Sequence, residues 1–226
     1  MNNHIEYSAI IPLFNEESSI LPLHSSLRSV LDKLSFTYEI IYVNDGSTDS
    51  SLKILEKIRR DFPSIKLVSF KTNKGQSEAF LAGFKESRGR WIITLDADLQ
   101  NPPEEIPKLL EFKNNFDLIT GVRRKRKDNI VKKSCSSCAT AARYLILRDT
   151  TKDPGCFLKV FKRKVLETIP HYRNFHRFFT YLARKKGFKV KEIPVEHRKR
   201  QFGKSKYGIL KRAKEGIVDL RHLSHL

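Results

Sequence analysis

The apolar positions of the first 120 residues fall into short blocks with two alternating rhythms. Tyr7 to Leu13 (YSAIIPL), Tyr38 to Val43 (YEIIYV), Lys66 to Phe70 and Trp91 to Leu95 are strand-sized runs rich in Ile, Val and aromatics. Between them the apolar residues space out. Leu23, Leu27, Val30, Leu31 and Leu34 recur at helical intervals within 18–34, as do Leu52, Leu55 and Ile58 further on. Residues 75–87 predict a third helix. Thr48 and Asp49 can cap the second, and Pro102-Pro103 suits the first turn of a fourth. Phe116 to Thr120 predicts a fifth strand. The run from Trp91 is apolar except at Thr94, as expected of a strand covered on both faces of a parallel sheet.

This βαβ series predicts a doubly wound α/β domain. Beyond residue 120 the pattern loosens. It predicts helices over 131–147, 163–168, 175–187 and 205–222, and strands over 157–161 and 190–197. One domain over 1–222 is expected, with a nucleotide-type half (1–120) and a second half (121–222). No run approaches the roughly 20 apolar residues of a helical membrane span. The first residues lack the basic start and apolar stretch of a signal peptide.

Charge changes the picture of the second half. The 226 residues carry 44 Lys plus Arg against 25 Asp plus Glu, a formal +19. Residues 123–133 hold seven bases and one acid, and 184–214 thirteen bases and two acids. Such an excess calls for a polyanionic partner: nucleic acid, anionic lipid or an anionic substrate. Three cysteines exclude a disulfide scaffold and suit a reducing compartment. Cys135 and Cys138 form a CxxC without the second pair that a zinc site requires, and read as small helix residues.

In doubly wound sheets ligands sit beyond the carboxyl ends of the strands. Four polar loops cluster there: Asn15-Glu16-Glu17, Asn44-Asp45-Gly46, Asn73-Lys74-Gly75-Gln76, and Asp96-Ala97-Asp98-Leu99-Gln100. The Asp96–Asp98 pair can turn two carboxylates toward one point, the oxygen donors that Mg²⁺ or Mn²⁺ takes together with a diphosphate. Gly46 and Gly75 are the permissive residues expected where backbone approaches a ligand. No GxGxxG follows the first strand and no GxxxxGK[ST] occurs, which counts against a dehydrogenase or a P-loop NTPase.

These segments, with Ile10-Ile11-Pro12 and Pro102-Pro103-Glu104, resemble the family 2 inverting glycosyltransferases of GT-A fold. Asp153-Pro154-Gly155-Cys156-Phe157-Leu158-Lys159, His176-Arg177-Phe178 and Arg200-Gln201-Phe202-Gly203-Lys204-Ser205-Lys206 resemble the dolichol-phosphate mannose synthase and bacterial polyprenyl-phosphate glycosyltransferase subgroup. The likeness covers roughly 7–215. It implies a Rossmann-like, mostly parallel sheet flanked by helices, with a C-terminal acceptor-side extension. It implies a metal-dependent hexosyltransferase, dolichol-phosphate mannosyltransferase-like, moving a sugar from GDP or UDP to a polyprenyl or dolichyl phosphate.

The resemblance carries over position by position. Pro12, Asn15 and Glu17 would shape the nucleotide pocket, and Asp45 would bond the base or ribose, with Gly75 and Gln76 on the donor side. Asp96 and Asp98 would hold the diphosphate through Mg²⁺ or Mn²⁺, with Gln100 as a further ligand. Arg123, Arg126, Arg177, Lys204 and Lys206 would meet phosphates, and Arg200 belongs to a loop closing over an anion. Asp96, Asp98 and Arg177 form the expected catalytic set.

A lipid phosphate is already a charged nucleophile and needs alignment and screening rather than a strong base. His176 is open to two readings, a base or a structural residue. The basic half would bind lipid phosphate and an anionic membrane face, placing the protein on the cytoplasmic side of a membrane, alone or through an anchoring partner protein. The alternatives are a family 2 transferase acting on a polysaccharide or other non-lipid acceptor in cell-surface glycan synthesis, a nucleotidyltransferase, a silent adaptor and a nucleic-acid binder. The acidic loop after strand one disfavours the second. The retained DxD and Asp45 disfavour a silent adaptor, and Asp45, Asp96 and Asp98 would repel a nucleic-acid backbone.

Overall fold

Every residue of β1 (Tyr7–Leu13) is buried, because the strand lies inside a seven-stranded sheet ordered β3-β2-β1-β4-β6-β5-β7. The computed structural model describes residues 5–124, 140–200, 216, 218–221 and 223. The other strands are β2 (Tyr38–Asn44), β3 (Ile65–Ser69), β4 (Trp91–Thr94), β5 (Leu118–Arg123), β6 (Lys159–Lys162) and β7 (Val190–Val195). β1 pairs in parallel with β2 and β4, β2 with β3, and β5 with β7. Among the described residues only β6 runs antiparallel, between β4 and β5. This is the mostly parallel, GT-A-like α/β sheet that the resemblance implied.

Helices α1 (Glu17–Leu31), α2 (Ser51–Asp61) and α3 (Gln76–Glu86) are the crossovers of the parallel series. A 3₁₀ turn at Pro103–Glu105 leads into α4 (Ile106–Leu110). The buried stripe of α1 (Ile20, Leu23, Leu27, Leu31) meets Ala9, Ile11 and Ile40 of the sheet in the main core. The N-cap of α2 is Ser50, whose side chain makes no cap bond, so the cap expected at Thr48-Asp49 shifts by one residue. Asp49 instead accepts the N–H of Ser51 on Oδ1 (2.9 Å) and that of Glu17 on Oδ2 (3.2 Å).

Three expectations shift. The predicted fifth strand starts at Leu118, and β6 is inserted between it and β4, so chain order and sheet order part here. Residues 175–187 are broken: a 3₁₀ turn (Phe175–Arg177) follows Asn174 at φ 65°, and the α-helix runs only over Phe179–Lys185. The second half of the chain also supplies β6 and β7 to the sheet of the first half.

Met1–Arg124 and Asp153–Gly203 form one unit, and Lys125–Lys152 with Lys204–Leu226 another. In the second unit residues 140–147 are helical. The helix ends against a buried pair, Arg143 Nε to Asp149 Oδ2 at 2.9 Å, and the same guanidinium donates to the Thr151 carbonyl. Tyr144, Leu145 and Ile146 of that helix are exposed. Cys135, Cys138, Arg126, Lys204, Lys206 and most of 205–222 lie outside the described residues.

Candidate active site

The site is built at the carboxyl ends of β1, β2 and β4 and at the start of α3. Pro12 is buried in β1, paired with Val43. Past β1 the chain turns at Asn15 (φ 51°). Asn15 Oδ1 accepts the Thr48 N–H at 2.7 Å, and its own N–H donates to Ser47 Oγ. Glu17 Oε2 accepts the Ser50 N–H at 2.8 Å. Asn15 and Glu17 thus lace the loop after β1 to the loop after β2. Gly46 (φ 69°) sits between that second loop and the next. A Cβ there would lie 2.4 Å from the Thr72 carbonyl carbon, so conformation and close approach both require glycine.

Asp45 is buried and organises the loop after β3. Its Oδ1 accepts the Lys74 N–H (2.7 Å), and Oδ2 accepts the Gly75 N–H and Asn73 Nδ2 (both 2.9 Å). Burial pushes this carboxyl up, and the Lys74 and Gly75 amides oppose the shift. Asp45→Asn would turn one acceptor oxygen into an NH₂ facing an N–H. An unmet buried group costs about 1–3 kcal/mol. The expected outcome is a loosened 73–75 loop and nucleotide affinity weakened about tenfold or more, read by calorimetry. Unchanged affinity would show that this loop does not shape the donor site.

Asp96 and Asp98 follow β4. Asp98 Oδ1 accepts the N–H of Gln100 (3.1 Å), an Asx-type turn that places Leu99 at φ 59°. A leucine in the left-handed region is strained by roughly 1–2 kcal/mol, a feature that collects at functional sites. The Asp96 carboxyl lies deep among protein atoms although part of the residue stays accessible. Burial, then the Asp98 charge, push it up to about 7, against the opposing charges of Arg123 and Lys159 and the Gln76 amide. Gln76 Nε2 donates to Asp96 Oδ1 at 2.9 Å. Gln100 turns its amide Nε2 to the Arg198 carbonyl at 3.4 Å.

Two crowded carboxylates beside a strained turn fit a hard divalent cation, which would relieve their repulsion. Among the described residues no three His, Cys, Asp or Glu side chains gather to hold a metal. A cation held by Asp96 and Asp98 would take its other ligands from substrate oxygens and water, as such a cation tolerates.

The basic residues take unequal places. Arg200 reaches the acidic pair directly, NH2 to Asp98 Oδ2 at 2.7 Å and NH1 to Glu16 Oε1 at 3.3 Å. Arg123 instead forks onto Asp153, with Nε–Oδ2 and NH2–Oδ1 both at 2.7 Å, and its backbone N–H donates to the same carboxylate. Its guanidinium is thus already matched by an internal carboxylate, and acts on Asp96 as a nearby charge. Arg177 ends the Phe175–Arg177 turn, next to His176, whose Nδ1 shares a 2.7 Å hydrogen bond with Ser77 Oγ.

Sequence reasoning missed Lys159. It is buried in β6, donates to the Cys156 carbonyl, and burial pushes its ammonium down while Cys156, Asp153 and Asp96 act the other way. A lysine inside the apolar run Cys156-Phe157-Leu158-Lys159-Val160-Phe161 was the available signal.

The model of "Glycosyl transferase family 2" matches residues 8–170, well over half of the chain. The chain belongs to this family. Among its curated relatives is an undecaprenyl-phosphate 4-deoxy-4-formamido-L-arabinose transferase of Salmonella choleraesuis (strain SC-B67), 38% identical over 209 residues, covering 90% of this chain and 63% of the relative. The Edwardsiella ictaluri (strain 93-146) protein of the same name is 37% identical with the same coverage. The chain thus spans less than two thirds of the length of these relatives.

Among solved structures, glucosyl-3-phosphoglycerate synthase of Mycobacterium tuberculosis, crystallised with Mn²⁺, UDP and phosphoglyceric acid, superposes with a TM-score of 0.74 at 17% identity, covering 97% of this chain and 78% of that one. S. aureus TarS 1-349 gives 0.56 at 20% identity, covering 83% and 58%. These likenesses establish the fold.

Proposed function

We propose that this family 2 glycosyltransferase moves a sugar from a nucleotide diphosphate, with UDP the first candidate, to a polyprenyl phosphate. The observation that carries the reading is the Asp96–Asp98 pair at the end of β4, joined through Gln76 to the loop that Asp45 holds. The names of the 37–38% identical relatives support the lipid acceptor, and the Mn²⁺ and UDP of the mycobacterial synthase support the donor and the cation. These relatives favour a bacterial undecaprenyl-phosphate acceptor over the dolichol-phosphate mannose branch of the subgroup.

In the reaction an acceptor phosphate oxygen forms a bond to the anomeric carbon. The bond from that carbon to the diphosphate breaks, and its electron pair leaves on the β-phosphate oxygen, so configuration inverts. A bound Mg²⁺ or Mn²⁺ supplies positive charge to the departing diphosphate. Asp96 and Asp98 would hold that cation, with Gln100 beside them. The 45–46 and 73–76 loops would orient the nucleotide, and Arg200, paired with Asp98 and Glu16, would exchange one of those carboxylates to meet a phosphate. The acceptor needs no deprotonation. His176 fits this: burial, with the charges of Arg177 and Lys159, pushes it down to about 3, too weak for a general base near neutral pH.

The test is incubation with a panel of UDP- and GDP-sugars, Mg²⁺ or Mn²⁺ and either undecaprenyl phosphate or soluble acceptors, followed by mass analysis of the lipid fraction. Sugar on the lipid, lost on chelation and restored by metal, is the expected result. Transfer to soluble acceptors alone would overturn the lipid reading and leave the family intact.

A membrane face belongs to the same proposal. Among the described residues no helix is long and apolar enough to cross a membrane. Leu145 is 70% exposed, with Tyr144 and Ile146 about half exposed, on a helix of a chain carrying +19. Such a helix suits interfacial contact, and each base near an anionic surface adds about 1 kcal/mol, decaying within a Debye length. Binding to vesicles with anionic lipid is expected, largely lost at about 1 M salt and weakened by Leu145→Ser with Ile146→Ser. Equal flotation with neutral vesicles at every salt level would refute this surface.

A further inference from the structure

Four consecutive residues at the start of α3 face three different partners. Lys74 and Gly75 give their backbone N–H groups to Asp45, Gln76 gives its side-chain amide to Asp96, and Ser77 bonds His176. One turn further, Phe80 stacks on Phe175 (centroids 5.8 Å, 15°), and Phe157 packs edge-on against both Phe80 (5.5 Å) and His176 (6.4 Å). The 3₁₀ turn that carries His176 and Arg177 is therefore clamped to the same face of α3 that begins with Ser77.

We propose that His176 is a positioning residue: through Ser77 it fixes the first turn of α3, and through that turn it sets Asp45 and Asp96. This rests on reading the Asp45–Asp96 edge as the donor site. The imidazole is suited to the task because it stays neutral, and a neutral ring bonds a hydroxyl without bringing a charge into the enclosed space. The chain of contacts runs from Arg177 through His176, Ser77 and Gln76 to Asp96 without a gap in sequence or space. A shift in one part must move the other.

The experiment uses the full chain and measures amide hydrogen exchange at Lys74 and Gly75, together with calorimetric binding of UDP plus Mn²⁺. Wild type is compared with Ser77→Ala, His176→Ala, both together, and His176→Asn, whose amide replaces Nδ1. We expect either alanine to lower protection at the two amides, and UDP affinity with it, about tenfold. The double variant should lose no more than the larger single loss, since the two act as a unit. His176→Asn should recover to within about threefold, and the pH profile of kcat from 5.5 to 8 should not change shape.

Unchanged protection in Ser77→Ala, or additive losses in the double variant, would overturn the proposal. So would a kcat loss beyond about 100-fold in His176→Ala with protection and UDP affinity intact, which would make His176 a catalytic residue. If His176→Ala does not fold, Ser77→Ala and His176→Asn decide by the same two readouts. Exchange needs no ligand, so a fall in protection in a protein that never binds UDP would sustain the linkage and sink the donor reading instead.

Discussion

Asp98→Ala is expected to lower turnover on the order of 10³-fold, the scale at which removal of one preorganised electrostatic contact acts on a developing charge. Two consequences combine. On the proposed reading, the cation would lose one of the two carboxylates that Asp96 and Asp98 offer it. Arg200, 2.7 Å from Asp98 Oδ2, loses its closer partner and keeps Glu16 at 3.3 Å. The same substitution removes the like charge that helps push Asp96 up to about 7, so Asp96 should titrate lower in the variant. Steady-state assays at saturating Mn²⁺, with a melting curve to establish folding, check the first point. NMR titration of the Asp96 carboxyl checks the second. A variant keeping more than a tenth of wild-type activity would remove the acidic pair from the centre of the mechanism.

Asp153→Ala is expected to destabilise the fold by about 3 kcal/mol or more. Asp153 is buried, and the Arg123 guanidinium that it pairs twice at 2.7 Å is largely buried too, so the mutation leaves a charge in the protein without its counter-ion. Gly155 lies against the same guanidinium: a Cβ there would come within 2.8 Å of Arg123 NH2, so the loop closes tightly around the pair. Replacing both partners, Arg123→Met with Asp153→Leu, should recover part of the loss, because an apolar pair avoids the desolvation that the ion pair incurs, while the residue-123 backbone N–H still loses its Asp153 acceptor. Urea unfolding of the wild type, the single variant and the double variant measures this. A single variant within about 1 kcal/mol of wild type would mean that Arg123 finds another partner.

The sequence by itself determined the parallel β/α series and the position of its acidic edge. Both follow from local causes. Strand-length apolar runs such as Tyr7–Leu13 can be buried on both faces only inside a covered sheet, and the turn residues that end them mark where polar groups must gather. The family resemblance, carried by short contiguous segments, was legible for the same reason.

Tertiary structure decided how the charged groups are matched. β6 enters antiparallel between β4 and β5, which pairs Lys159 with Thr94 and brings its charge to act on Asp96. Arg123 finds Asp153 thirty residues later, and Arg200 finds Asp98 across 102 positions. Asp45, expected to meet the nucleotide, is bonded first to its own neighbouring loop. Sequence spacing records none of this. A buried charge is bound to whichever opposite charge or dipole folding brings within about 3 Å, and that choice is made by strand order and loop closure, not by proximity along the chain.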